Sequence, residues 1–118
     1  MGMSFQQERQ SYVNLYNLEE LAKDKRIGGA EYRVLHFLLA RMNYDEAVQI
    51  SQSDIGNILD MKQPCVARAL KVLKEAGIIR SEGKPGQTAT YTLNPYYGSR
   101  GKASNVIQMQ KKWDDNAE

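Results

Sequence analysis

The chain has 118 residues, 42% of them apolar and 25% charged, with nine glycines and three prolines, the composition of one globular domain, which excludes a disordered or fibrous chain. A single cysteine and a single histidine exclude an intramolecular disulfide framework, a multi-thiolate metal centre and histidine-rich acid–base clusters. The net charge of +2 hides an asymmetry: residues 1–61 hold six basic and nine acidic side chains, residues 62–112 ten and two, and residues 113–118 three acids, so positive potential is concentrated in the second half, where it suits a phosphate backbone if its residues share a face.

Residues 1–10 are polar and read as loose. From Ser11 to Leu18 the apolar Tyr12, Leu15 and Tyr16 alternate imperfectly, which leaves a strand and an extended arm both open. Leu18, Leu21 and Ala22 are spaced for a short helix over Leu18–Lys25, and Gly28–Gly29 predict a turn. From Ala30 to Asn43, Tyr32, Leu35, His36, Leu39 and Met42 recur at three and four residues, and Val34, Phe37 and Leu38 widen the stripe into that of a largely buried helix. Val48–Ile50 has the branched residues of a brief strand that needs a partner.

Ser51 offers a capping hydroxyl, with Asp54 three residues on as a short version of the usual acidic partner, so a helix starts there. Ile55, Ile58 and Leu59 give it an apolar face, with Ile55 and Ile58 directed to the core, and Gly56 permits close approach by a neighbour. Asp60–Gln63 are the turn. Pro64 suits the first turn of the next helix, where a missing donor costs least. Val66, Ala69, Leu70, Leu73 and Ala76 form the inward stripe of that helix, Arg68, Lys71 and Lys74 point outward, and Gly77 ends it in a left-handed conformation.

Ile78–Ser81 and Thr88–Leu93 are β-prone runs around Glu82-Gly83-Lys84-Pro85-Gly86-Gln87, which together predict a hairpin. Pro95 and Gly98 interrupt order after Asn94, and the basic tail from Arg100 to Lys112 has room for a short final helix before the acidic end. No internal repeat of fixed period is present. Three segments follow: an N-terminal arm with a short helix over 1–29, a central domain over 30–95 and a basic tail over 96–118.

Strand, capped helix, tight turn, second capped helix and hairpin, in that order, are the order of a winged helix-turn-helix, an α+β fold with a helical core and a β-hairpin wing. In such a fold the second helix enters the major groove N-terminus first. Gln63 and Arg68 are then the candidates for reading base edges, since glutamine pairs twice with adenine and arginine donates twice to guanine, with Lys62 and Lys71 on the phosphates and Cys65 beside them. The N-terminus of the first helix, with Ser51 and Ser53, can approach a phosphate oxygen. Lys84, Gln87 and Thr88 at the hairpin tip suit an adjacent groove or strand; an exposed, hydrated turn is the plainer alternative. Cys65, near a helix N-terminus, is open to a redox role or to that of a small reduced spacer.

The stretch ISQSDIGNILDMKQPCVARALKVLKEAGIIRSEG resembles the winged-helix core of MarR-like and related prokaryotic regulators. With YRVLHFLLARM before it and YTLNPYYGSRGK after it, the pattern over about residues 30–102 is similar to RepL-type plasmid replication proteins, in which an Asn-Pro and a basic Arg-Gly segment follow the winged helix. Those residues are Asn94, Pro95, Arg100 and Gly101, and Arg100 and Lys102 join the DNA-contacting candidates. The resemblance implies recognition of plasmid DNA in replication or its control, with Gln63, Arg68 and Lys71 on the reading helix. Met1–Gly29 leaves little room for a large effector domain.

Other chemistry is poorly served. Glu19-Glu20, Glu31, Asp45-Glu46 and Asp54 fall where solvated helix ends explain them, and His36 reads as a packed or hydrogen-bonded residue at the core edge, so no enzyme activity, metal or cofactor is expected. Gly83-Lys84-Pro85-Gly86 lacks the spacing of a nucleotide-binding loop. No apolar run nears the roughly 18 residues of a membrane span, and Met1–Gln10 lacks the features of a signal peptide, so a cytoplasmic protein without a small-molecule substrate is expected. The reading is a sequence-specific double-stranded-DNA-binding protein in plasmid replication initiation or its transcriptional control. The alternative is a winged-helix adaptor that binds proteins without DNA. A homodimer on a repeated or palindromic site is favoured, with Tyr12, Leu15 and Tyr16 and Val106, Ile107, Met109 and Trp113 packing either between chains or within one.

Overall fold

The computed structural model describes residues 14–43, 47–83, 88–99 and 103–115. In chain order the elements are β1 (Asn14–Leu15), α1 (Leu18–Lys23), α2 (Gly29–Arg41), β2 (Ala47–Ile50), α3 (Gln52–Leu59), α4 (Gln63–Glu75), β3 (Ile79–Glu82), β4 (Ala89–Leu93), β5 (Gly98–Ser99) and α5 (Ala103–Asp115). This is the expected α+β winged helix-turn-helix, a helical core with a small antiparallel sheet.

The helix boundaries follow local chemistry. The Ser51 hydroxyl accepts a hydrogen bond from the Asp54 amide at 3.1 Å and so caps α3, satisfying one of the amides that a helix start leaves without a partner. Asp60 ends α3 in a left-handed conformation, φ 54°, and Pro64 occupies the first turn of α4. Gly77, at φ 75°, follows α4 as the sequence predicts. The Gly28–Gly29 pair differs from expectation. Gly28 caps α2 and Gly29 is its first residue, because the Glu31 carboxylate accepts from the Gly28 amide at 2.7 Å and fixes the helix start one residue earlier.

The core lies where α2, α3 and α4 meet the inner face of the sheet. Val34, Leu35, Phe37, Leu38 and Met42 of α2, Ile55 of α3 and Val66, Ala69, Leu70 and Leu73 of α4 are buried together with Ile78, Ile79, Val48, Ile50, Tyr91 and Leu93. Two expectations are corrected here. Ile58 does not face the core but is 50% exposed, because an eight-residue helix buries one narrow stripe and Ile55 with Gly56 already occupies it. The buried stripe of α2 is centred on Val34, Leu35, Phe37 and Leu38, and His36 is exposed, with its ring Nδ1 2.6 Å from the Tyr32 carbonyl oxygen. Since a carbonyl only accepts, Nδ1 carries the proton of that hydrogen bond.

Gly56 is buried against the turn: a Cβ there would lie 2.7 Å from the Met61 carbonyl oxygen, and the Met61 amide donates to the Gly56 carbonyl at 2.9 Å. Glycine thus lets the chain fold back tightly enough to set α4 against α3.

In the three-stranded sheet the order is β2-β4-β3, all antiparallel. The partner that Val48–Ile50 required is therefore β4, with Val48 opposite Tyr91 and Tyr91 opposite Ser81. Alternation places Val48, Ile50, Tyr91, Leu93 and Ile79 inward and Gln49, Thr90, Thr92, Arg80 and Glu82 on the other face. A second, two-residue pairing joins β1 to β5, Asn14 opposite Ser99. The region left open between strand and arm is therefore a very short strand, and the Asn17 side chain extends it by donating to the Tyr96 carbonyl at 2.6 Å. The final helix, α5, has 13 residues, longer than the short one expected.

Candidate nucleic-acid interface

Along α4, Val66, Ala69, Leu70 and Leu73 have no exposed surface. The opposite side carries Pro64, Arg68 and Lys71, flanked by Gln63 and Lys74, all exposed, with Cys65 and Ala67 half-buried. Burial of one stripe forces the other residues outward, and Arg68 and Lys71, three apart, share one face. The helix has no acidic side chain in its first turn, and Lys62 at its cap makes no side-chain capping bond. The early backbone amides and the Lys62 ammonium therefore direct positive potential out of this end, the arrangement that suits a phosphate oxygen.

Arg68 is held along the helix by a hydrogen bond from Nη2 to the Cys65 sulfur at 3.4 Å. This contact is to a weak acceptor and leaves the other guanidinium donors for a ligand. The Ser51 hydroxyl is engaged in capping α3, while Ser53, in the first turn of that helix, is exposed. Thr88 is exposed immediately before β4. Lys84, Gln87, Arg100 and Lys102 lie outside the described residues, as do Tyr12 and the side chains of Val106 and Met109. The structure thus brings Lys62, Gln63, Cys65, Arg68 and Lys71 together on one helix and sets Ser51 and Ser53 at the start of the adjacent one.

Three supports of this surface escaped the sequence. Arg33 of α2 donates through Nη2 to the Leu59 carbonyl oxygen at the end of α3, placing a cation where the helix dipole is negative and tying α2 to the turn. Asn94 donates from Nδ2 to the Gly77 carbonyl at 2.8 Å and from its amide to the Ile78 carbonyl at 2.8 Å. Its Oδ1 accepts from the Tyr96 amide at 3.0 Å and from Gln110 Nε2 at 3.3 Å. Trp113 lies with its ring 3.7 Å from the Arg80 guanidinium carbon. Apart from the Asn94–Tyr96 bond, each contact joins residues at least 16 positions apart, and only Asn94, at the point where Pro95 interrupts order, lay beside a local signal.

At the base of the sheet Tyr91 is buried and hydrogen bonded to Gln52, and burial pushes its phenol above the usual tyrosine range. Gln49 Nε2 reaches the Thr90 hydroxyl across the strands at 3.5 Å. Among the described residues no three histidine, cysteine, aspartate or glutamate side chains are grouped to hold a metal ion, and no helix is long and apolar enough to cross a membrane.

A capped helix, a glycine-dependent turn, a second helix with an exposed basic face and an antiparallel hairpin define a winged helix-turn-helix domain, of the kind typical of DNA-binding transcriptional regulators. The Crp-like helix-turn-helix domain family matches residues 32–90, half of the 118-residue chain, and the chain belongs to that family. Such domains are non-catalytic regulatory modules. Asn94, Pro95, Arg100 and Gly101, which carry the resemblance to replication proteins, fall outside the matched span. No curated protein and no solved structure matches the chain.

Proposed function

We propose that the protein binds a specific double-stranded DNA sequence and acts in plasmid replication initiation or in the transcriptional control of replication. The observation that carries this reading is the exposed face of α4, on which Arg68 and Lys71 lie opposite a fully buried stripe. Gln63 and Arg68 read base edges, Lys62 and Lys71 hold phosphates, and Ser53 with Thr88 extends the contact to either side. Cys65 supports the Arg68 guanidinium. Lys84 and Gln87 of the wing reach an adjacent groove or phosphate strand, and Arg100 and Lys102 of the tail add DNA contacts. The replication role is supported by the Asn94-Pro95 and Arg100-Gly101 pattern.

The protein works as a cytoplasmic homodimer on a repeated or inverted site, since one small module spans too few base pairs for a unique address. Selection from a random duplex library with the purified chain tests both points. An enriched inverted repeat, bound with an affinity that falls steeply as salt rises, is the expected result. Absence of any preferred duplex, together with salt-insensitive retention of an acidic protein partner, would overturn the reading in favour of an adaptor.

A further inference from the structure

The basic side chains of the second half of the chain do not all point toward a ligand. Arg80 lies on the second residue of β3, the strand that leads from the reading helix into the wing, and projects from the face of the sheet opposite the core. Its guanidinium is stacked on Trp113 of α5 at 3.7 Å. One turn earlier on the same helix, Gln110 donates to Asn94, and Asn94 in turn holds the Gly77 and Ile78 carbonyls where α4 passes into β3. Gln110 and Trp113, three residues apart and both half-buried, form one face of α5. That face grips β3 at its entry from the reading helix and again at Arg80.

We propose that α5 is a brace for the wing, with Trp113 as a positioning residue that fixes the direction in which the hairpin leaves α4, without touching DNA. β4 ties β3 into the sheet through the backbone, but β3 is an edge strand that leaves α4 through Gly77, whose permissive backbone lets the hairpin beyond the sheet twist. A side-chain hold on Arg80, on the face opposite the core, limits that twist and sets the wing at one angle to the reading helix. The proposal rests on the reading of α4 and the wing as the duplex-binding surface. It also assigns Arg80 to this intramolecular contact, although by charge alone it would be counted among the phosphate ligands.

Trp113 is the single tryptophan of the chain, so its emission reports on the brace directly. In the free protein, Arg80→Ala is expected to shift that emission to longer wavelength and to increase quenching by acrylamide, with Arg80→Lys restoring part of the change. With the selected duplex, Trp113→Ala is expected to weaken binding about five-fold, of the order of one cation–π contact. It should also lower the salt slope by about one phosphate-equivalent, as the wing loses its backbone contact. Trp113→Phe, which keeps an aromatic face, should bind as the parent does, and Gln110→Ala should show the same loss as Trp113→Ala should the latter fail to fold. Emission indifferent to Arg80→Ala, or parental affinity and slope in folded Trp113→Ala, overturns the brace alone. A parent protein with no duplex affinity overturns the duplex reading, and the brace with it.

Discussion

Arg68 and Lys71 stand three residues apart on the same exposed face of α4, and the proposed reading gives them different tasks. A guanidinium presents paired donors that match the two acceptors of guanine, whereas an ammonium is a point charge suited to a phosphate. Arg68→Ala is therefore expected to cost about 1–3 kcal/mol on the preferred duplex and far less on arbitrary DNA, as measured by competition titration. Lys71→Ala should weaken binding to all duplexes alike and reduce the salt slope by about one. Equal losses on every sequence for both variants would remove Arg68 from base reading. Cys65 matters at this scale through its sulfur, which accepts from Arg68; serine at that position keeps an acceptor and should leave the sequence preference intact.

At the scale of elements, the turn between α3 and α4 depends on Gly56. A Cβ there would meet a backbone carbonyl oxygen at 2.7 Å, and backbone does not move aside as a side-chain tip does. Gly56→Ala should therefore destabilise the fold by about 1–3 kcal/mol in urea unfolding, as overpacking does, despite the better helix propensity of alanine. Asn94→Ala removes three side-chain hydrogen bonds, to the Gly77 carbonyl, the Tyr96 amide and Gln110 of α5, and keeps the backbone bond to Ile78. Two of the three are partly buried, and a loss of about 1–3 kcal/mol is expected in the same measurement.

The elements that were legible in the sequence are those whose limits are set by neighbours along the chain. Ser51 with Asp54, Pro64, and Gly77 after the last apolar residue of α4 each satisfy or terminate a helix through contacts a few residues away. The inward stripe of α4 was legible for the same reason, since a 13-residue helix samples its period almost four times. Ile58 and the face of α2 were not, because a short or broadly apolar helix can be turned either way until its neighbours choose. The Arg33 bond, the β1–β5 pair and the Arg80–Trp113 stack depend on tertiary closure, which no local pattern encodes. The candidate site was legible as far as it lies on α4, and its supports were not.

Among the described residues, three phenols shift the pH dependence of the whole molecule toward the protonated state. Burial raises Tyr91 and Tyr97, and the hydrogen bond to Glu20, 2.6 Å from hydroxyl to carboxylate, raises Tyr96. The folded chain therefore holds these protons more tightly than the unfolded chain, whose tyrosines titrate near about 10. The stability they contribute is complete below that value and is lost as pH rises through the higher folded values. The urea midpoint should be level to about pH 9 and fall above about pH 10, and Tyr96→Phe should reduce that fall.

Because β4 lies between β2 and β3, its amides and carbonyls are tied on both sides, and a slip by one residue would turn Tyr91 and Leu93 to solvent. The hairpin therefore cannot peel from the helices a strand at a time. Its central amides should exchange with deuterium only in the same global opening that releases those of α4, so that the presentation of the wing and the integrity of the core rise and fall as one cooperative event.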